Sequence, residues 1–142
     1  MSFSGSALII DDDASLAEVV GGYLQAAGYK AVVAGNGFQA LRLAREIRPD
    51  IILCDMKMPH MAGSDVLREL ATDPVTARIP RLLMTGMADA DRSHAHSFLL
   101  KPFQAGDVLN AVQRAIATGP RSPSGRWSAT LAAEQAPIAW AG

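Results

Sequence analysis

Short apolar runs recur along the chain, and each is followed by a residue with a polar or charged side chain. The runs lie at 7–10, 51–54, 82–84 and 98–100, and the residues after them are Asp11, Asp55, Thr85 and Lys101. Stretches with apolar residues at helical spacing separate these runs. Alternation of short apolar runs with helical stretches is typical of parallel strands in an open α/β sheet.

The same pattern predicts where the elements begin and end. Strands are expected near 7–10, 29–34, 51–55, 80–84 and 98–100, and helices near 15–27, 38–47, 64–72 and 104–118. Gly28 is expected to end the first helix, and Ser64 is a candidate N-cap of the third. Val19 and Phe38 fall on the apolar stripes of the first two helices.

The polar residues that follow the apolar runs are expected to meet at one edge of the sheet, because ligands of open α/β sheets bind beyond the carboxyl ends of the strands. Carboxylates at a strand end, such as Asp11 and Asp12, repel each other, and a bound cation removes that cost. Mg²⁺ prefers such oxygen ligands. Together with the Thr85 hydroxyl and the Lys101 ammonium, they indicate a site for a divalent cation and a phosphoryl group. Asp13 fits the N-cap of the first helix.

Composition limits the classes of protein to which the chain could belong. Its 142 residues suffice for one domain with a sizeable core, and a net charge of −1 gives no indication of direct nucleic-acid binding. The single cysteine, Cys54, lies in a predicted buried strand and indicates a small core residue in a reducing compartment. No apolar stretch in the sequence is long enough for membrane insertion, and no signal peptide is evident, so a cytoplasmic protein is expected.

The segment from Asp55 to Gly63 carries a more specific pattern, D-x-x-M-P-x-M-x-G. With the acidic run after the first strand, Thr85 and the triplet Lys101-Pro102-Phe103, it resembles the receiver domain of bacterial two-component response regulators over about residues 7–117. The resemblance implies a flavodoxin-like (CheY-like) fold, a five-stranded parallel sheet in the order 2-1-3-4-5 with helices on both faces. Because Thr85 and Lys101 are sixteen residues apart (101 minus 85), the family's fourth helix is expected to be short or degenerate, with at most about two turns.

Several residues receive a role from this resemblance. The residues expected to act in phosphoryl transfer and its read-out are Asp55 as the phosphoacceptor, Lys101, Thr85 as the switch hydroxyl and Phe98 as the switch aromatic. The expected Mg²⁺ ligands are Asp11, Asp12, Asp55 and the backbone carbonyl of Lys57. The peptide bond between Lys101 and Pro102 is expected to be cis.

Other loop residues have plainer interpretations. Met58 and Met61, which follow the phosphoacceptor position, are expected to anchor their loop in the core. His94 and His96 lie two residues apart, as some metal ligands do. Their surroundings are more typical of a solvated short loop than of a metal site.

The function implied is that of a single-domain response regulator, a signalling phosphoacceptor and not an enzyme. A sensor histidine kinase or a phosphotransfer protein would donate the phosphoryl group to Asp55 in an Mg²⁺-dependent reaction, and the output would pass by contact to an unknown downstream protein. Three alternatives stay open. They are a haloacid dehalogenase-type phosphatase with its nucleophile in the run 11–13, a flavodoxin-like nucleotide binder, and a receiver that binds partners without phosphorylation.

The end of the chain differs in composition from the rest. Residues 1–118 are expected to form the receiver domain, 119–125 a linker, and 126–142 a tail without an output domain. The tail holds both tryptophans and is too apolar for an ordinary solvated end. It would dock on the surface left by the short fourth helix, or on the same face of a second molecule to give a homodimer. A frayed terminus is the alternative.

Overall fold

The structure of the chain is a computed structural model that describes residues 5–119. The strands are β1 (Gly5–Ile10), β2 (Tyr29–Ala34), β3 (Ile51–Asp55), β4 (Arg81–Thr85) and β5 (Ser97–Leu100). The helices are α1 (Ala14–Ala26), α2 (Gly37–Ile47), α3 (Gly63–Thr72) and α4 (Ala105–Thr118). Every predicted strand is present, with small shifts at its ends.

The five strands form one parallel sheet in the order β2-β1-β3-β4-β5. This order confirms the predicted fold class and topology. Because the strands are parallel, the carboxyl ends of β1, β3, β4 and β5 lie at the same edge. That edge carries Asp11, Asp55, Thr85 and Lys101.

Apolar side chains cover both faces of the sheet. One face, with Ile9 and Leu53, packs against α1 and α4, and the other, with Leu8 and Ile52, packs against α2 and α3. Every residue of β3 and β4 is buried, which explains why these strands occur in the sequence as continuous apolar runs. Cys54 is a buried free thiol in this core, as predicted.

The start of α1 is fixed by its N-cap, as predicted. Asp13 Oδ1 accepts hydrogen bonds from the backbone N–H groups of Ser15 at 3.0 Å and Leu16 at 3.2 Å. These contacts satisfy two of the N–H groups that a helix start leaves unpaired. Gly28 follows the end of the helix with a φ of +99°, a conformation that glycine adopts without steric cost.

The start of α3 differs from the prediction. The N-cap is Ala62, which makes no side-chain capping hydrogen bond, and Ser64 lies inside the first turn. The Gly63 N–H donates to the Met56 carbonyl at 2.7 Å, and a Cβ atom on Gly63 would lie 2.1 Å from the carbonyl oxygen of Asp55. The prediction of Ser64 as N-cap is therefore wrong, because a close contact with the end of β3 sets the helix start.

Two residues on the predicted apolar stripes face solvent, since Val19 is 47% exposed and Phe38 is 65% exposed. The buried residues of α2 are instead the small ones, Gly37, Ala40 and Ala44. The helix approaches its neighbours closely, and a Cβ atom on Gly37 would lie 2.9 Å from a side-chain atom of α3. Close approach therefore selects small residues for the inner side and leaves the large ring outside.

The segment between β4 and β5, residues 86–96, contains turns and no helix. Most of it is exposed, and its contacts with the core are the buried Ala90 and the partly buried Ala95. Helices in proteins are stabilised mainly by packing of an apolar face. With so few apolar residues, this segment has too little surface to hold a helix against the sheet, and the helix expected here as short or degenerate is absent.

The predicted linker and tail lie outside the described residues, except for Gly119, which caps the end of α4. Within residues 5–119, no helix combines the length and apolar composition required to cross a membrane.

Candidate functional site

Three carboxylates lie together at the carboxyl edge of the sheet. Asp11 and Asp12 follow β1, and Asp55 ends β3. One oxygen atom of each side chain lies within 4.8 Å of the others. Asp11 is 2% exposed and Asp55 is 3% exposed, whereas Asp12 is exposed at the rim. The topology thus holds like charges close together in a largely buried position.

The buried position has an electrostatic cost at Asp11. Burial raises its pKa to about 6; the hydrogen bond from the Asp13 backbone N–H, at 3.0 Å, opposes this rise. The negative charges of Asp55 and Asp12 also contribute to this raised pKa, and the Lys101 ammonium opposes it. The site therefore favours any positive charge that reaches it.

These carboxylates fit a hard divalent cation. The second oxygen of Asp11, Oδ2, is buried and has no hydrogen-bond partner among the described residues. A buried polar atom without a partner costs free energy, and a metal ion would supply the missing contact. The ligand types are carboxylate oxygens, which Mg²⁺ prefers. The backbone carbonyl of Lys57 stays a predicted ligand.

Lys101, the residue directly after β5, contacts the same cluster. Its Nζ donates to Asp55 Oδ1 and forms an ion pair with it. The backbone N–H of Lys101 donates to the Thr85 carbonyl at 2.8 Å, which ties the lysine to the end of β4. The Lys101–Pro102 peptide bond is cis, in agreement with the resemblance. The positive charge is therefore held directly at the Asp55 carboxylate.

Thr85 ends β4 and is 2% exposed. Its Oγ1 accepts a hydrogen bond from the Met87 N–H at 3.0 Å, the local contact expected of a threonine at a strand end. A hydroxyl can donate while it accepts. The Thr85 hydroxyl is thus able to donate a hydrogen bond at the same edge.

Phe98 lies in β5 beside Leu83 of β4. Its ring is partly buried, and the Arg92 guanidinium lies 4.1 Å from the ring centroid. Phe98 is therefore not enclosed in the core, and a cation covers part of its ring. Its predicted role as switch aromatic stays a prediction.

Arg81 and His96 form an arrangement that the sequence interpretation missed. Arg81 is 6% exposed, and its guanidinium donates to the carbonyls of His94 at 2.8 Å, Ala77 at 2.9 Å and Ile79 at 3.2 Å. His96 Nδ1 accepts from the Arg81 backbone N–H at 3.0 Å. These contacts fasten the end of the segment 86–96 to the start of β4.

The predicted solvated-loop interpretation is wrong for His96. Its side chain is partly buried, and burial with the nearby Arg81 charge lowers its pKa to about 4. The signal in the sequence was Arg81 itself, a charged residue at the head of an otherwise apolar strand. Buried arginine is rare unless its donors are satisfied, so its carbonyl partners had to come from the neighbouring loops.

A shallow apolar groove of about 550 Å³ opens next to the end of β3, formed by the loops after β3 and β4. Its lining residues are Met56, Lys57, Met58, Pro59, Ala62 and Met87. Met58 and Met61 pack against the core on the α2 and α3 side, as predicted for loop anchors. The groove leaves the edge of the site accessible to a partner.

Comparison with known proteins is consistent with this geometry. A family model described as the response regulator receiver domain matches residues 7–113. The DNA-binding response regulator MtrA of Mycolicibacterium paratuberculosis is 34% identical over 123 residues, covering 82% of this chain and 53% of that protein. The chain thus spans about half the length of this relative.

Solved structures share the fold. The chemotaxis protein CheY4 of Vibrio cholerae matches with a TM-score of 0.74 at 28% identity, over 80% of this chain and 99% of that one. The receiver domain of the sensor histidine kinase PA1611 of Pseudomonas aeruginosa, which holds a magnesium ion in its active-site cleft, matches with a TM-score of 0.72 at 26% identity, over 80% of this chain and 98% of that one. With its parallel sheet and its acidic edge, this chain belongs to the response regulator receiver domain family, the phosphoacceptors of two-component signalling.

Proposed function

We propose that Asp55 is the phosphoacceptor and that a sensor histidine kinase or a phosphotransfer protein supplies the phosphoryl group. The observation that carries this assignment is the ion pair between Lys101 Nζ and Asp55 Oδ1. It lies at an edge where Asp11, Asp12 and Thr85 also meet. A carboxylate held beside a fixed cation can receive a negatively charged group that isolated carboxylates repel.

In the proposed reaction an Asp55 oxygen attacks the phosphorus of a phosphohistidine. The new O–P bond forms as the P–N bond breaks, and the electron pair of that bond stays on the leaving imidazole nitrogen. The Lys101 ammonium neutralises charge on the phosphoryl oxygens, and the Thr85 hydroxyl donates to one of them. Phosphoryl transfer depends mainly on such positioning and charge stabilisation, and the ion pair of Lys101 with Asp55 supports this role for the lysine.

Asp11, Asp12, Asp55 and the carbonyl of Lys57 would hold Mg²⁺. When bound, this ion would offset the repulsion among the carboxylates and the incoming phosphoryl group. The unpartnered Oδ2 of Asp11 supports the assignment. Asp11 itself would act as a ligand and not as a nucleophile, since it is buried and the lysine pairs with Asp55 instead. That pairing favours the receiver over the phosphatase alternative.

The output is proposed to be contact between this domain and a downstream protein in the cytoplasm. The net charge of −1 supports protein contact over direct DNA binding. The acidic edge also disfavours the nucleotide-binder alternative, because Asp11, Asp12 and Asp55 would repel a free phosphate that lacks a glycine-rich backbone cradle.

The proposal is tested by intact-mass analysis after incubation with a small phosphodonor. The native protein is expected to gain the mass of one phosphoryl group with Mg²⁺ and much less of it with a chelator. Asp55→Asn is expected to abolish the gain, and Asp13→Asn, which changes only the α1 cap, is expected to retain it. Phosphorylation that persists in Asp55→Asn and disappears in Asp11→Asn would favour the phosphatase class instead.

A further inference from the structure

One face of β5 is left without a helix. In the register Leu83 lies beside Phe98 and Thr85 beside Leu100. Side chains alternate along a strand, so Phe98 and Leu100 share the face that carries Leu83, the α2 and α3 side. In the described part of the chain, those two helices pack on β1 to β4, and the helix that packs on β5 is α4, on the opposite face.

The segment 86–96 covers this face incompletely. Arg92 lies over the Phe98 ring at 4.1 Å, but Leu100 is still 44% exposed. Met87, two residues after the register partner of Leu100, is 42% exposed. Three large apolar side chains are therefore partly open to water around a single edge strand, a surface that favours an additional packed segment.

The described chain ends beside this strand. Thr118 Oγ1 donates to the His96 carbonyl oxygen at 3.0 Å, and a Cβ atom on Gly119 would lie 3.1 Å from the His96 ring. His96 directly precedes β5. The chain thus leaves α4 at the amino end of the uncovered strand.

The length of the following segment is sufficient to return along β5. Another 23 residues follow Gly119 (142 minus 119). At about 3.3 Å per extended residue, the linker 120–125 spans up to about 20 Å, which exceeds the roughly 13 Å length of a four-residue strand. A tethered segment starting at this point needs little binding energy of its own to stay in place.

We propose that residues 126–142 of the same chain pack on the uncovered face of β5, against Phe98 and Leu100. The segment has only two residues with charged side chains, Arg126 and Glu134. Its large apolar residues are Trp127, Leu131, Ile138 and Trp140. Burial of such side chains against an exposed apolar face is favourable. The docking does not depend on phosphorylation of Asp55.

Intrinsic fluorescence of the full chain tests this proposal, because both tryptophans, Trp127 and Trp140, lie in the segment. The emission of the native protein is expected to be blue-shifted from that of a free tryptophan derivative and protected from acrylamide quenching. Leu100→Asp is expected to shift the emission to the red and raise quenching, and Leu100→Ser to do so more weakly. Phe38→Asp is the matched control, since Phe38 is 65% exposed and lies in α2, which packs on β1 and β2 and not on β5. The emission of this variant should match that of the native protein.

Circular dichroism and thermal melting identify which variants are folded, and Leu100→Ser serves if Leu100→Asp is not. Water-like emission in the native protein would overturn the docking. Blue-shifted emission unchanged in a folded Leu100 variant would place the segment elsewhere and overturn the assigned face. A blue shift that grows with protein concentration, with a dimer mass in light scattering, would make the occupant a second copy and overturn the intramolecular form.

Discussion

Replacement of Asp11 by asparagine is expected to stabilise the metal-free protein at neutral pH. Burial raises the pKa of Asp11 from 3.8 to about 6, so the folded state binds this proton more tightly than the unfolded state does. The charged carboxylate therefore costs stability above the folded pKa. That cost falls as the pH drops from about 6 toward 3.8, and it is absent when both states are protonated.

The size of the effect follows from the shift. A difference of about 2 pKa units between the folded and unfolded states, at 1.36 kcal/mol each, lowers the free energy of unfolding by roughly 3 kcal/mol at pH 7.5. At pH 4 the same difference lowers it by less than about 1 kcal/mol. Asparagine keeps the oxygen that accepts from the Asp13 N–H, and its amide N–H groups can donate toward Asp12 and Asp55. The stability gain of Asp11→Asn should therefore grow by roughly 2 kcal/mol between pH 4 and pH 7.5.

Urea unfolding of both proteins with a chelator, at pH 4, 6 and 7.5, measures this growth. Asp13→Asn is the matched control, because it makes the same chemical change at an exposed N-cap where asparagine is as effective as aspartate. Its free energy of unfolding should stay close to that of the native protein at every pH. Added Mg²⁺ should raise the stability of the native protein and raise that of Asp11→Asn less, since one proposed ligand is altered.

The difference in unfolding free energy between Asp11→Asn and the native protein has to be compared across pH. A gain for Asp11→Asn that is equal at pH 4 and pH 7.5 would refute the burial of the Asp11 charge as its source. A loss of stability that is larger at pH 7.5 than at pH 4 would show that the carboxylate is stabilised in the metal-free fold, which contradicts the unpartnered Oδ2.

Three further predictions concern the loop after β3 and the segment between β4 and β5. Lys57 and Met87 line the groove beside Asp55 and should hinder an attacking water, so Lys57→Ala and Met87→Ala are expected to shorten the phosphate lifetime measured by mass spectrometry; unchanged lifetimes would exclude both side chains as determinants. Residues 88–95 have few buried contacts and should exchange amide hydrogens fastest within 5–119, and slow exchange there would contradict this. The pKa of His96 is lowered to about 4, so the stability that its neutral form contributes is fully present above about pH 6.5 and is lost as the pH falls toward 4. His96→Gln should therefore reduce the acid dependence of the free energy of unfolding by roughly 2 kcal/mol after allowance for solvent screening. An unchanged acid dependence would rule His96 out as its source.

The sequence by itself determined the sheet and the residues at its edge. Strands buried on both faces are mostly apolar, so the runs before Asp55 and Thr85 mark β3 and β4 without reference to any contact. Parallel connection then brings the strand ends to one edge. The positions of Asp11, Asp55, Thr85 and Lys101 at that edge follow from the end of each run. Their spacing also gave the resemblance to the family.

Capping rules predicted a helix end only where residues close in sequence determine it. Asp13 caps α1 through its own neighbours in sequence, and this was predictable. The start of α3 is set by the approach of Gly63 to the backbone of Asp55, eight residues earlier (63 minus 55), and no capping rule contains that contact. Phe38 is exposed for a similar reason, because the buried positions of α2 hold only the small residues Gly37, Ala40 and Ala44.

Only the tertiary structure determined the pKa of Asp11 and the contacts that hold the segment 86–96. The pKa of Asp11 depends on burial by side chains from several elements, and that burial has no local signal in the sequence. Arg81 and His96 meet through residues that are distant along the chain. Solvation and hydrogen bonding depend on which atoms surround a group in space. Residue order fixes the identity of those atoms, but their positions exist only once the chain has folded.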